Sequence, residues 1–220
     1  MSKFINKHRK LLSVGCLLFV LFGCTSKPTV TFEQMAKWDN GIFVSEFGGF
    51  SIEVPENWIA LSDSEIKQQV ATASESVIYG TPSVSLEQFQ KTSGFYPMAF
   101  ITEINNDSEN TFAMTIVIIE RMNVLDRLSV KTADEYLAKV ADGYKQNQTA
   151  GNTFSFEEII SVNIGGLEYR CLPINVESYQ YRQIIAARIK DDFVIGILIM
   201  TTDNHQKLTE EAFGAFSDLP

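Results

Sequence analysis

The chain has 220 residues, with 18 Lys and Arg, 27 Asp and Glu, three Cys and two His. Residues 1–23 hold four basic residues and no acidic one, so the rest carries 14 basic and 27 acidic residues, a formal net charge of −13. Such an acidic body would repel phosphates, which argues against nucleic acid as a partner. Because one His and two Cys follow residue 23, the sequence predicts no metal site and no cofactor.

The N-terminus has the order of charge and hydrophobicity that is typical of a secretory leader. Residues 1–10 are polar and basic, and Leu11–Phe22 is apolar. A bilayer-spanning helix takes about 20 apolar residues, so this stretch is too short to span. The order of the two segments predicts a signal peptide over residues 1–23. The alternative is an uncleaved signal anchor, against which the short apolar stretch argues.

The segment Leu21–Cys24 (Leu-Phe-Gly-Cys) resembles the bacterial lipobox, in which an aliphatic residue lies three positions before the Cys and a small residue directly before it. The resemblance implies that the Cys24 thiol receives a diacylglyceryl group and that a peptidase cuts before it. Cys16 is the rival, but the aliphatic residue is missing from Ser13–Gly15 before it. We therefore expect a lipoprotein of the cell membrane that carries palmitate at Cys24, since two or more acyl chains anchor stably.

The first part of the remaining chain predicts a tether, two strands and a helix. Residues 24–37 are the expected lipidated N-terminus and tether, and residues 38–220 the folded domain. Strands are predicted at residues 42–45 and at Phe50–Val54, where the apolar and polar residues alternate. A capping box at Ser62–Glu65 predicts the start of a helix. The polar residues 74–95 predict a long loop.

The second part predicts a mostly antiparallel sheet. The strand at Thr111–Glu120 is apolar on both faces, so we expect it to be central and covered on both sides. A second capping box, Thr132–Glu135, predicts a helix over Ala133–Asn147. The other predicted elements are strands at Tyr96–Ile104, Phe156–Ile164, Leu167–Val176, Tyr181–Lys190 and Phe193–Thr202, hairpin turns at Gly165-Gly166 and Asp191-Asp192, and a last helix at Gln206–Leu219. The expected fold class is α+β, an antiparallel sheet with helices on both faces.

Two sequence segments resemble the opening of PsbP-like domains, in which a hairpin leads into a Pro-x-x-Trp turn. They are Trp38–Phe43 (Trp-Asp-Asn-Gly-Ile-Phe) and Gly49–Trp58, which ends in Pro-Glu-Asn-Trp. The resemblance covers about residues 38–220. In this region the chain is similar to a group of uncharacterised Firmicutes-type secreted proteins and lipoproteins. It implies a PsbP-like α/β/α sandwich. It implies no catalytic set, because a shared fold does not transfer an activity.

A search for catalytic groups finds no constellation. His205 lies at the predicted start of the last helix, without the nucleophile and orienting group that a base or triad needs. Cys171 lies in mid-strand, where a lone thiol is usually a small buried hydrophobe. The pairs Glu157-Glu158, Asp191-Asp192 and Glu210-Glu211 are explained by strand alternation, a turn and a solvated helix face. We expect no catalytic residue, no metal ligand and a protein that is not an enzyme.

Aromatic side chains near element ends are the remaining signal, because amphipathic rings can serve a protein interface. Tyr179 and Tyr181, with Arg182 beside them, are the predicted partner-binding residues. Ordinary packing at the edge of the core is the alternative explanation.

Two functions of different class follow from these observations. The first is a non-enzymatic envelope lipoprotein on the extracytoplasmic face of the cell membrane. Its N-terminal lipid anchor would hold it there, and its PsbP-like domain would bind a protein partner or an envelope component. The alternative is a small-ligand-binding accessory lipoprotein, with the 74–95 loop as a lid over an apolar pocket.

Overall fold

A computed structural model describes residues 35–62, 64–66, 95–103, 113–146, 153–177, 180–202 and 205–219. The predicted signal peptide, Cys24, most of the tether, Tyr179 and residues 74–94 of the predicted loop lie outside these ranges. So does the helix predicted after Ser62, apart from residues 64–66.

Twelve strands and three helices make up the described fold. The strands are β1 (Lys37–Asp39), β2 (Ile42–Ser45), β3 (Phe50–Glu53), β4 (Trp58–Ala60), β5 (Phe95–Glu103), β6 (Ala113–Arg121), β7 (Phe154–Phe156), β8 (Ile160–Ile164), β9 (Leu167–Val176), β10 (Tyr181–Lys190), β11 (Phe193–Thr202) and β12 (Phe216–Asp218). The helices are α1 (Val124–Ser129), α2 (Ala133–Gln146) and α3 (His205–Gly214).

The strands form two antiparallel sheets. The larger has eight strands in the order β4-β5-β6-β11-β10-β9-β7, with β8 also paired to β9. The smaller has four strands in the order β1-β2-β3-β12. Every residue of β11 is buried, as expected for a central strand whose two faces are both apolar. The predicted antiparallel sheet is therefore confirmed.

The large sheet has a hydrophobic core on each face. On one face, Met114, Ile116 and Ile118 of β6 share a core with side chains of α2. On the other, Val117 and Ile119 share a core with side chains of the small sheet and α3. The prediction that β6 is covered on both sides is confirmed. The expected helical layer on each face is not confirmed, because the second face is covered by the small sheet together with α3.

The C-terminal element differs from its prediction. The helix expected to reach Leu219 ends at Gly214, and the next residues form β12 against β3. The ring centroids of Phe216 and Phe50 lie 5.4 Å apart, and both rings are buried. An apolar residue that also fits the helical pattern is therefore used in a strand, because tertiary pairing outweighs local periodicity.

The strand predicted over residues 156–164 is in fact two strands, β7 and β8. Both pair with β9, but their registers differ by one residue: Phe156 lies opposite Ile174, and Ile160 opposite Cys171. At the break, the Glu157 N–H donates to the Pro173 carbonyl at 3.1 Å. Proline has no N–H to return the second hydrogen bond, so the ladder is interrupted there.

Local sequence signals are confirmed at atomic detail. In the box Thr132–Glu135, the Glu135 N–H donates to the Thr132 hydroxyl at 3.2 Å and the Thr132 N–H to the Glu135 carboxylate at 3.1 Å. Both residues of the Gly165-Gly166 turn have positive φ, 55° and 70°, as a tight hairpin of this kind requires. Asp191, in the turn between β10 and β11, also has a positive φ of 54°.

Candidate functional site

A short helix that the sequence pattern does not predict follows β6. The Asn123 side chain begins α1 by accepting a hydrogen bond from the Asp126 N–H at 2.9 Å. The apolar side chains Val124, Leu125 and Leu128 are 59%, 74% and 70% exposed. Periodicity identifies helices by the apolar face that they bury, and α1 buries none of its residues.

A buried carboxyl group lies where β6 leads into α1. The side chain of Glu120 is buried, and one of its oxygens accepts a hydrogen bond from the Tyr136 hydroxyl of α2 at 2.7 Å. Burial raises the pKa of Glu120 to about 7. The hydrogen bond from Tyr136 lowers this pKa and the charge of Asp126 raises it, but both effects are smaller than that of burial. Glu120 therefore exchanges its proton near neutral pH.

The cavity beside Glu120 is small. Its volume is about 10 Å³, close to the room that one water molecule needs. It is lined by Glu120, Met122, Asp126, Val130, Tyr136 and Lys139. Lys139 Nζ lies 3.2 Å from an Asp126 carboxylate oxygen and 2.6 Å from the Ser129 hydroxyl. The arrangement can hold and release a proton, but its size excludes an organic substrate.

The described chain begins close to the hairpin between β10 and β11. The Ser45 hydroxyl donates to the Met35 carbonyl at 3.0 Å, which places Met35 beside the turn at residues 46–49. In that turn, the Phe47 carbonyl accepts from Lys190 Nζ at 2.8 Å, and the Phe47 ring packs edge-on against Phe193, with centroids 5.1 Å apart. Lys190 and Phe193 flank the β10–β11 turn.

The β10–β11 turn, formed by Asp191-Asp192, holds α1 in place. Arg127 Nη1 of α1 lies 2.5 Å from the Asp192 carboxylate, and the Met122 N–H donates to the Asp192 carbonyl at 2.9 Å. Met35, the turn at residues 46–49, the Asp191-Asp192 turn and α1 therefore gather at one end of the large sheet. We name this region the tether end, because the predicted tether meets the domain there.

The structure separates the predicted partner-binding residues. Tyr181 is 2% exposed and lies in the core that also contains Tyr144. Arg182, on the opposite face of β10, pairs with Glu157 at 2.8 Å and is partly exposed. Strand alternation explains the difference, because neighbouring residues point to opposite faces. Tyr181 and Arg182 thus form no common surface, and Tyr179 lies outside the described residues.

The other candidate residues from the sequence lie at ordinary structural positions in the fold. Cys171 is buried, and burial raises the pKa of its thiol to about 12. The prediction of a turn at Asp191-Asp192 is confirmed. His205 is the first residue of α3, and its side chain lies outside the described part of the structure. Among the side chains that are described, no three or more His, Cys, Asp or Glu form a group that could hold a metal ion.

The sequence pattern predicts only that Glu120 ends a strand, and it predicts no element over the residues of α1. The one available signal at Glu120 is a carboxylate that ends a strand with two apolar faces.

Within the ranges described, no helix has the length and the apolar character needed to cross a bilayer.

Comparison with known proteins finds neither a family model nor a curated protein that matches the chain. Among solved structures, the chain is similar to the cyanobacterial PsbP protein (CyanoP) of Synechocystis sp. PCC 6803, with 11% identity and a TM-score of 0.44 over 89% of this chain and 98% of that one. It is also similar to LpqN of Mycobacterium tuberculosis, described as involved in cell envelope biogenesis, with 13% identity and a TM-score of 0.41 over 78% and 83% of the two chains.

Proposed function

We propose that this protein is a non-enzymatic envelope lipoprotein, anchored by acyl chains at Cys24 on the extracytoplasmic face of the cell membrane. The observation that carries the proposal is the segment Leu21–Cys24, which lies at the end of a basic and then an apolar stretch. A single acyl chain gives only marginal membrane binding, whereas the two or more chains of a diacylated Cys anchor stably. The folded domain would then be presented outside the membrane to a protein partner or an envelope component.

The chemistry of the described residues supports a non-enzymatic role. Glu120, whose pKa burial raises to about 7, is hydrogen-bonded to Tyr136 beside a cavity with room for about one water molecule. The thiol of Cys171 is buried and its pKa is raised, so little of the reactive thiolate forms. A carboxyl group and a thiol can both take part in catalysis, but these two are buried where a substrate has no access. The cavity beside Glu120 is too small to be the pocket of several hundred Å³, on the order of 300 or more, that the alternative of a small-ligand binder would need.

Acylation is tested by metabolic labelling with a palmitate analogue in bacterial cells that express the full chain. We expect labelling of the parent chain and of Cys16→Ala, which is the matched control, and no labelling of Cys24→Ala. The parent and the control should also enter the detergent phase on temperature-induced phase separation. Equal labelling of Cys24→Ala and the parent chain would contradict the proposal.

Partner binding is tested by crosslinking in intact cells, followed by mass spectrometry, on the parent chain and Cys24→Ala. We expect one protein or envelope component to be enriched with the anchored chain alone. A hydrolytic activity of the purified chain that a single substitution such as Glu120→Gln abolishes would contradict the non-enzymatic role.

A further inference from the structure

The exposed side chains of α1 form one continuous apolar patch. Val124 and Leu128 are four residues apart and Leu125 and Leu128 three apart, so the three side chains are neighbours on the helix surface. We call them the α1 apolar face. Single exposed hydrophobic residues are ordinary, but a contiguous group of large ones marks an interaction site. The other large exposed hydrophobic residues that the structure describes, Ile42 and Ile160, lie in β2 and β8.

Polar contacts hold α1 with this face outward. Asn123 caps its first turn, Arg127 is paired with Asp192, and Asp126 is paired with Lys139 of α2. These contacts join the helix to the β10–β11 turn and to α2. The leucines therefore project from a helix that is attached on its polar side, and they stay 74% and 70% exposed beside the described parts of the fold.

The location of α1 points to the occupant of this face. The described chain begins at Met35, which the contacts through Ser45, Phe47 and Lys190 place at the tether end, together with α1. Eleven residue steps separate Cys24 from Met35. Such a stretch extends at most about 40 Å. A domain anchored through Cys24 therefore keeps its tether end within about 40 Å of the lipid surface.

The charges at the tether end allow contact with lipid. Arg127 and Asp126 are each paired with an opposite charge, and the Lys131 ammonium group donates to the Arg127 carbonyl. Lys131, Asp191 and Glu46 are exposed, so the exposed charges of this region are of both signs. The strong negative charge of the body belongs to the domain as a whole and would oppose its lying flat on anionic lipid. A small apolar contact at the tether end avoids this repulsion, because most of the domain stays away from the lipid.

We propose that the α1 apolar face inserts into the lipid–water interface beside the acyl anchor, so that two points of attachment fix the orientation of the domain. The inference rests on the proposed anchor at Cys24. Three apolar side chains bind weakly alone, but the tether confines them near the surface, where the effective concentration of lipid is high. The anchor holds the protein at the membrane, and α1 determines which surfaces of the domain face outward.

The test uses the full chain, purified in its mature form and reconstituted into vesicles of phosphatidylcholine, alone or mixed with phosphatidylglycerol. Leu125→Cys is labelled with the polarity-sensitive fluorophore NBD, and quenching by nitroxide-labelled lipid reports contact with the acyl region. Cys171 gives little background because it is buried and the pKa of its thiol is raised. Ile160→Cys is the matched control, since it replaces another exposed branched hydrophobic residue, which is 49% exposed.

We expect the probe at position 125 to shift to shorter emission wavelengths and to be quenched severalfold more than the probe at position 160, in both lipid compositions. Adding Leu128→Ser to Leu125→Cys should reduce that quenching severalfold, because the two side chains insert together. Both leucines are exposed, so these substitutions leave the fold intact.

The two proposals fail in different ways. If the chain fractionates with vesicles but the probes at positions 125 and 160 give the same spectra and quenching, the lipid contact is overturned and the anchor stands. If the chain is neither acylated nor bound to vesicles, the proposed anchor is overturned and the orientation argument with it. A spectral shift at position 125 in native membranes that is missing in protein-free vesicles would assign the face to a protein and overturn the lipid contact.

Discussion

The hydroxyl of Tyr136 donates a 2.7 Å hydrogen bond to the carboxyl group of Glu120 inside the fold, where β6 ends and α1 begins. The bond joins the large sheet to α2. It lies beside the Asp126–Lys139 pair that joins α1 to α2. It also satisfies an acidic group that burial would otherwise leave without a partner, which is costly in a protein interior. The pair is therefore both a structural link and a group that titrates near neutral pH.

The stability of the domain should fall as the pH rises from about 4.5 to about 7, because of Glu120. The folded chain keeps the proton of Glu120 up to about pH 7, whereas the unfolded chain releases it near 4.5. In this window the unfolded state binds fewer protons, so the free energy of unfolding decreases with rising pH, by roughly 3 kcal/mol in total. Glu120→Gln cannot ionise and should lack this decrease.

The measurement is chemical denaturation of the parent chain and Glu120→Gln across that pH range. The groups around Glu120 are Tyr136, Asp126 and Lys139, and all three are unchanged in the variant. The exposed Glu65 and Glu135 have pKa values lowered by their capping hydrogen bonds, so they contribute to the pH dependence at more acidic pH. Two parallel curves would show that Glu120 does not titrate in the window.

Tyr136→Phe should destabilise the domain and shift the titration of Glu120. Loss of the hydroxyl leaves a buried carboxyl without its donor, which costs about 1–3 kcal/mol. The hydrogen bond lowers the pKa of Glu120, so its removal should raise that pKa further and extend the decrease in stability to higher pH. Tyr144→Phe is the control, because it removes a hydroxyl that is bonded to Gln183. It should reduce stability without moving the pH profile.

Gly166→Ala should be destabilising. Gly166 has a φ of 70°, and an added Cβ would lie 2.0 Å from a carboxylate oxygen of Asp218. The left-handed conformation alone costs a residue with a Cβ about 1–2 kcal/mol. Gly214→Ala is the matched control, since its φ is ordinary and nothing lies within 4 Å of the new Cβ. It should be neutral or stabilising by up to about 1 kcal/mol, because Ala favours a helix. Equal thermal midpoints for the two variants would contradict this account of the turn.

Substitution of the α1 leucines should leave stability unchanged. Leu125→Ser and Leu128→Ser alter side chains that are 74% and 70% exposed, so the free energy of unfolding should change by less than about 0.5 kcal/mol. Leu137→Ala, in the buried face of α2, should instead cost about 2–5 kcal/mol. Urea titration of all three variants checks this. A large loss in the serine variants would mean that α1 contributes to the core, not to a surface.

Short-range patterns in the sequence predicted much of the architecture. The capping box at Thr132–Glu135 and the glycine pair 165–166 were predicted from adjacent residues, because their hydrogen bonds and φ angles depend on nothing further away. The strand Thr111–Glu120 was predicted to be central because its residues are apolar on both faces, and its described residues, 113–120, are buried on both. The resemblance of Leu21–Cys24 to a lipobox is likewise a purely local signal and remains the basis for the proposed anchor.

Where a residue lies relative to distant elements was decided by the tertiary structure alone. Phe216 fits a helical pattern, but pairing with β3 makes it part of a strand. Tyr181 and Glu120 both stand at strand ends, yet both are buried: Tyr181 lies in the core that also contains Tyr144, and Tyr136 of α2 donates to Glu120. The leucines of α1 are as apolar as those of a core, but polar contacts with the β10–β11 turn and α2 leave them uncovered. Burial depends on what packs opposite a side chain, and that partner is remote in the sequence.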